Sequence, residues 1–495
     1  MTKRLFKRML SVALAVLMLV SLAAPVFAKM GSSDMPWLKD QSLLDQILER
    51  DGFIDGIWYP WLNDAYSAHN LSGNEIMAMY YAPDEKTAQV WSRVEMDYIG
   101  ADKIYRQIYN LKAMGYNMMA WGGSIYAEGV KLNPTTGEVL GIKEDYLANA
   151  RRLLNICREV GMPVVWNVYF HSSAMPHYSG MDGWHIVTRM TADNRVADQY
   201  AEKFVRPLCK MLAEYKDVVA MVSLGDEVEN EINDSEVGDH FEGNRAMYGT
   251  TRENMMYLMR AINNVVKKEL PGMPRTIAST GGVNKSFYAE LGLDLTGHNT
   301  YNNNSHVPEL EEFKHIRPAI LTEYNVGGDA KESDDELTAQ LIKFRENMMK
   351  NGYKGGLQWC WISTTTWKQG TSYYLLNSLN PTDFRGTVTD LRHYMDEYRA
   401  KYKGKTITVD AAVLYANDGT GLVEWIPSKR GVTMDLLRSN DGGASWITVL
   451  DNVNQADYVG TTKKGSYQDS KTSNAIYKIV VRDAAGNTAT SEPNC

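Results

Sequence analysis

Two glutamates stand where strand-like sequence stops. Glu227 closes the segment Val222-Ser-Leu-Gly-Asp-Glu227 and Glu323 closes Ile320-Leu-Thr-Glu323, each just past a short apolar run that reads as a buried strand. Carboxylates carried to the carboxyl ends of different parallel strands can converge on one bond of a substrate. A pair of carboxyl groups flanking a bond is the equipment for cleaving the acetal link between sugars. The plainer alternative is two strand-end glutamates held by nearby Lys or Arg.

Positioning them calls for a barrel. From residue 53 onward short apolar runs alternate with amphipathic stretches, the pattern of parallel strands joined by helical crossovers. Eight strands are expected, at 53–58, 117–121, 163–170, 218–224, 275–279, 293–299, 319–322 and 356–361. Between them, 102–114, 145–160, 197–215, 252–270 and 336–351 repeat apolar residues at three and four, and a last helix at 388–402 closes the ring. Gly115, Gly161 and Gly352 serve as helix stops.

Alternation along each strand sorts side chains onto faces. Val164, Trp166, Val168 and Phe170 form one apolar face for helices to cover, which turns Asn167, Tyr169 and His171 toward the mouth. Val222 and Leu224 leave Ser223, Gly225 and Glu227 on the opposite face, so Glu227 rather than Asp226 aims at the axis. Ala319 and Leu321 group with Glu323 in the same way, and a bulge at a strand end reverses the phase. Trp121 ends the second strand, and Trp359 and Trp361 share a face of the eighth. Long segments at 59–100, 172–194, 228–250 and 363–387 fall on the same rim; three are dense in Trp and Tyr, whose rings suit the apolar faces of sugars.

The chain begins with Lys3, Arg4, Lys7 and Arg8, an apolar run from Met9 to Ala24, and Pro25-Val-Phe-Ala28, a secretory leader spanning residues 1–28. The expectation is an exported protein with no membrane attachment after cleavage. Loss of the leader takes the formal charge from −8 to about −12, which repels polyphosphate and excludes nucleic acid as a natural partner. Cys157, Cys209, Cys360 and Cys495 lack metal-ligand spacing, and the first two sit in amphipathic stretches where cysteine packs as a small apolar residue. No HExxH, GxxxxGK[ST] or GxSxG motif is present, and the acidic stretch from Asp226 to Glu242 lacks the ligand spacing of a calcium loop. Neither metal nor cofactor is expected, and oligomeric state is left open.

After Tyr402 the sequence turns β-rich, with strands expected at 407–414, 421–425, 433–438, 446–450 and 475–482 and turn signals at Asn440-Asp-Gly-Gly and Asp483-Ala-Ala-Gly-Asn487. Val423-Glu-Trp425 and Tyr477-Lys-Ile-Val-Val-Arg-Asp483 resemble the second and sixth strands of fibronectin type III modules. That resemblance implies an immunoglobulin-like sandwich serving as a spacer, with Trp425 in its core and a corner hydrogen bond from Tyr477. Around Glu227 and Glu323 the chain resembles the clan of retaining (β/α)8 glycoside hydrolases that includes cellulases, β-mannanases and β-galactosidases.

The resemblance implies a TIM barrel of the α/β class over residues 29–403, followed by the small all-β module at 404–495. It implies Glu227 as general acid/base and Glu323 as the nucleophile of a double displacement, with carboxyls about 5 to 5.5 Å apart, Glu323 ionised and Glu227 protonated at rest. It makes Tyr301 the holder of the nucleophile with His298 assisting, and one of Trp359 and Trp361 the floor under the reacting sugar. Asn167, His171 and Trp121 complete the carbohydrate-binding candidates. Asp226 departs from the clan, which has asparagine before the acid/base in contact with the sugar 2-hydroxyl; a carboxylate there accepts but cannot donate. A carbohydrate-binding protein without turnover, and a transglycosylase using the same residues, are the alternatives.

Overall fold

The structure, a computed structural model, describes residues 41–59, 101–121, 129–133, 136, 138–169, 193–232, 251–279, 289–301, 307, 319–326, 333–361, 375, 385–403, 409–410, 412–413, 421–470 and 475–493. The leader, His171, Cys495 and most of the four long rim segments lie outside them.

Eight parallel strands form one sheet: β1 (Ile54–Tyr59), β2 (Met118–Trp121), β5 (Val164–Asn167), β6 (Val219–Asp226), β7 (Arg275–Ala278), β8 (Thr296–Tyr301), β9 (Ala319–Asn325) and β10 (Gly355–Gln358). A small antiparallel hairpin of β3 (Val130–Leu132) and β4 (Val139–Ile142), absent from the sequence reading, precedes β5. The order β7-β6-β5-β2-β1-β10-β9-β8 sets chain neighbours side by side and pairs the first strand with the last. The seam between β7 and β8 is closed by Asp294 and Leu295 amides donating to the Arg275 carbonyl at 3.0 and 3.1 Å, and the Asn299 amide to Ser279 at 2.7 Å. The fold is a (β/α)8 barrel.

The outer layer comprises α2 (Ala101–Ala113), α3 (Glu144–Val160), α4 (residues 194–212, with a π-helical stretch at Ala201–Val205), α5 (Arg252–Glu269), α6 (Asp334–Lys350) and α7 (Thr387–Lys403). Local sequence sets their ends: Ser333 and Glu336 close a capping box at the start of α6, and Gly161 takes φ 74° after α3, where a side chain would strain. Ahead of the barrel, α1 (Leu43–Asp51), which the sequence reading had not foreseen, puts Leu44 and Ile47 into the barrel interior as a plug.

Two apolar clusters separate the faces of the sheet. Ile54, Trp58, Met118, Ala120, Val165, Met221, Ile320 and Leu357 fill the interior, whereas Ile57, Met119, Val164, Trp166, Val222, Leu224 and Leu321 pack beneath the helices. Alternation thus holds through the lower strands apart from one slip on β6, where Ala220 and Met221 both face the interior. It fails at two upper ends. Between Ser223 and Asp226 the pairing of β6 with β7 slips, and Gly225 turns outward, where a Cβ would meet Val228 and Met259; Asp226 therefore turns inward. On β9 the register against both β8 and β10 slips between Leu321 and Glu323 or Tyr324, which leaves Ala319 and Leu321 on the helix side and swings Glu323 inward. Strand parity had grouped these residues otherwise, and the extra residue of a bulge is the reason. Tyr169, also expected inside, packs edge to face on Tyr200 at 6.0 Å in the helix-side core.

The first and last strands are tied from outside. Arg345 on α6, fully buried, donates to Asp55 Oδ1 on β1 at 3.0 and 3.2 Å and to Gln358 Oε1 on β10 at 3.2 Å, while Arg399 stands 3.7 Å from Asp55. Cys157 and Cys209 are free and packed in the helix-side core.

Beyond α7 two antiparallel sheets form: β11 (Ala412–Val413), β12 (Leu422–Ile426) and β15 (Gly465–Gln468) in the order 11-12-15, and β13 (Gly431–Ser439), β14 (Ile447–Asn454), β16 (Ile476–Asp483) and β17 (Thr488–Thr490) in the order 14-13-16-17. Trp425 is fully buried in the core of this module, and Tyr477 Oη donates to Asp469 Oδ2 at 3.0 Å. Lys463 bridges Asp335 on α6 (2.7 Å) and Asp390 on α7 (2.5 Å), and His393 Nε2 meets the Pro427 carbonyl at 2.9 Å, so the module rests on the last two barrel helices.

Candidate active site

The end of β6 is pinned on both sides. The Asp226 amide donates to the Tyr169 carbonyl beside β5 and the Glu227 amide to Ala278 on β7, each at 2.9 Å. Between these anchors the chain turns sharply, with Glu227 at φ 43°, ψ 37°. A glutamate in this left-handed region carries a strain of roughly 1–2 kcal/mol. Strain held by surrounding bonds is a feature of sites where a side chain must be aimed.

From across the mouth, β8 and β9 supply the partners. Asn299 Nδ2 reaches both carboxylates, at 3.2 Å from Asp226 Oδ1 and 3.0 Å from Glu227 Oε1. Its Oδ1 accepts from Thr322 Oγ1 at 2.7 Å. Next along β9, Glu323 accepts a hydrogen bond at Oε2 from Tyr301 Oη. A hydrogen-bonded belt therefore runs from β6 through β8 to β9, holding Asp226 and Glu227 on one side and Glu323 on the other.

Burial pushes Asp226 well above the usual carboxylate range, with the charges of Glu227 and Glu229 adding to it against the Asn299 hydrogen bond. Burial also pushes Glu323 well up, followed by the charges of Asp226 and then Glu227, against the hydrogen bond from Tyr301. Two buried carboxyls that repel each other do not both ionise readily, and the pair retains a proton where isolated carboxyls have lost theirs. The expectation of a simply ionised Glu323 leaves Asp226 out, and Asp226 lies inside the site. Burial, then Glu323 and Glu227, raise the Tyr301 phenol as well, which keeps it a donor.

Aromatic residues divide by face. Trp359, half-buried after β10, packs at 5.5 Å between ring centroids on Trp58, whose Nε1 donates to the Thr322 carbonyl at 2.7 Å; the Trp359 carbonyl accepts from Asn325 Nδ2. The Trp359–Cys360 peptide is cis. Trp361 is fully buried in the helix-side core and so is not a sugar floor. Trp121 is a second correction: it packs at a tilt against Tyr59 in the helix-side core, on the outward face of β2. His298 is a third, since its register partner Leu321 lies in the helix-side core and both side chains point away from the carboxylates. Asn167 does face the interior, on the parity of Val165, one layer beneath the carboxylates.

Asn299 and Thr322 were missed. Asn299 carried a readable signal, since it lies two residues from Tyr301 and shares its face of β8; Thr322 carried none. Among the described residues no group of three or more His, Cys, Asp or Glu is disposed to hold a metal ion, and no helix is long and apolar enough to cross a membrane.

No family model matches the chain, and no curated protein does. Solved structures similar to it include the β-mannanase of the blue mussel Mytilus edulis, at 14% identity over 62% of this chain and 87% of that one, with a TM-score of 0.43. They also include the GH5_18 protein of Streptomyces cattleya in complex with GlcNAc (14%, 61% and 76%, TM-score 0.47) and the endo-β-1,4-mannanase of Thermotoga petrophila (11%, 80% and 94%, TM-score 0.42). The fold assignment rests on the strand order and register above.

Proposed function

We infer that the protein is a glycoside hydrolase acting on β-linked sugars with retention of configuration. The observation that carries the reading is the convergence, at the carboxyl ends of β6 and β9, of Glu227 and a Glu323 held by Tyr301, linked through Asn299 and Thr322. Glu323 attacks the anomeric carbon as Glu227 gives its proton to the departing oxygen; Glu227 then takes a proton from water, which attacks the same carbon and frees Glu323. Trp359 and Trp58 offer the apolar surface beside this centre. The leader supports export, and the sheet orders 11-12-15 and 14-13-16-17 support a fibronectin type III-like module starting near residue 404.

The test incubates the mature protein and its Glu323→Gln variant with aryl β-glycosides and β-glycans. Wild type releases sugar and the variant loses at least about a thousandfold in kcat while keeping its thermal midpoint. Proton NMR at early times shows the product in the β configuration first. Turnover unchanged in Glu323→Gln, or an α product first, defeats the mechanism; binding without turnover in wild type favours a carbohydrate-binding protein.

A further inference from the structure

Asp226 differs from Asp55, another deeply buried acid of the barrel. Asp55 is matched by Arg345 and Arg399. Asp226 is only 1% exposed, lies against the charges of Glu227 and Glu229, and takes a single amide hydrogen bond that Asn299 shares with Glu227. Among the described residues no Lys, Arg or His pairs with either Asp226 or Glu323. A buried carboxylate without a cation is costly, and the cost falls if the ligand brings the cation.

The layer below supplies an independent observation. Asn167 on β5 and Thr276 on β7 flank β6 at the level of Ser223, both facing the interior and both at most 1% exposed. Asn167 Oδ1 and Nδ2 and Thr276 Oγ1 have no hydrogen-bond partner among the described residues. Gly297 lets β8 pack closely here, since a Cβ would lie 2.2 Å from the Ile277 carbonyl oxygen, 2.6 Å from Thr322 Cγ2 and 2.8 Å from Thr276 Oγ1. Beneath Asp226 the interior thus holds acceptors, Asn167 Oδ1 and Thr276 Oγ1, that have no donor among the described residues. A hydroxyl brings one hydrogen, whereas an ammonium brings three and a charge.

We propose that the site selects a sugar with a protonated amine on the carbon next to the anomeric centre, a 2-amino-2-deoxy-β-glycoside, with Asp226 as counter-ion and Asn167 as a further acceptor directly or through water. This deepens the glycosidase reading and rests on it. Asp226 adjoins the group that protonates the leaving oxygen and acts electrostatically on the one that attacks carbon 1. Of the two ring positions beside carbon 1, only carbon 2 bears a substituent with hydrogens to donate. An N-acetyl group removes the charge and adds bulk, so the free amine is the form preferred.

The experiment measures kcat/KM for matched aryl β-glycosides carrying 2-amino, 2-hydroxy or 2-acetamido groups, in gluco, galacto and manno configurations, at about pH 6, where the amine is protonated. Wild type favours the amine over the hydroxyl by on the order of 10- to 100-fold in its best configuration. Asp226→Asn removes most of that preference, and Asn167→Ala reduces it by several-fold. Equal or better turnover of the 2-hydroxy or 2-acetamido sugars by wild type overturns the inference and leaves the glycosidase reading intact. No turnover in any series, with no binding, removes both. The wild-type ratio alone decides should either variant fail to fold.

Discussion

Asp226 acts on the ionisation of Glu323. Its charge pushes Glu323 up, so Asp226→Asn lets Glu323 ionise at lower pH. The acid limb of kcat/KM against pH, which reports ionisation of the attacking group in the free enzyme, then shifts downward in the variant. A limb that stays or rises shows that Asp226 does not act on the nucleophile. The same group affects stability with a definite sign. Its folded value lies above the ordinary 3.8, so the folded state binds the proton more tightly, and stability falls as pH rises from that value toward the raised one. Asp226→Asn is therefore expected to raise stability at pH 7 by about 1 kcal/mol, with the gain vanishing near pH 4; thermal unfolding at the two pH values checks it. At this scale the sequence exposed the acids themselves, and Asp226 beside Glu227 was visible as an anomaly. The inward turn of Asp226 was not, because the bulge on β6 leaves no residue signature.

At the scale of elements, apolar runs and amphipathic stretches located all eight barrel strands and the six outer helices to within a few residues. Apart from the slip at Ala220 and Met221 on β6, the lower halves of the strands obey alternation because they are packed on both faces. The upper ends of β6 and β9 depart from it where pairing slips, and those ends carry the carboxylates. The first and last strands are tied by a contact between distant elements, the buried ion pair of Arg345 on α6 with Asp55 on β1. Asp55→Ala leaves the guanidinium buried without its main counter-charge and is expected to cost about 3–5 kcal/mol, measured by urea unfolding. A cost below about 1 kcal/mol means that the pair does not tie these strands. Neither partner announced the other in the sequence, since they stand 290 residues apart.

For the whole molecule, the β module meets the barrel through apolar and polar contacts, with Ile426 of β12 buried in the helix-side core and Lys463 reaching both α6 and α7. The lysine is partly exposed, so Lys463→Ala is expected to lower stability by no more than about 1 kcal/mol, by calorimetry, with the loss shrinking in molar salt. A larger loss that persists in salt places the docking energy elsewhere. The sequence by itself determined what depends on local pattern: the barrel order, the change to β structure after Tyr402, the acidic balance, and two glutamates at strand ends. Periodicity and turn chemistry are short-range, and they survive whatever packs around them. Only the tertiary structure decided which acids, aromatics and amides face the same space. It turned Asp226 inward, sent Trp121, Trp361 and His298 to the helix side, and brought Asn299 between the carboxylates. Those outcomes depend on register between strands far apart in the chain, where one extra residue reverses a face and no local signal records it.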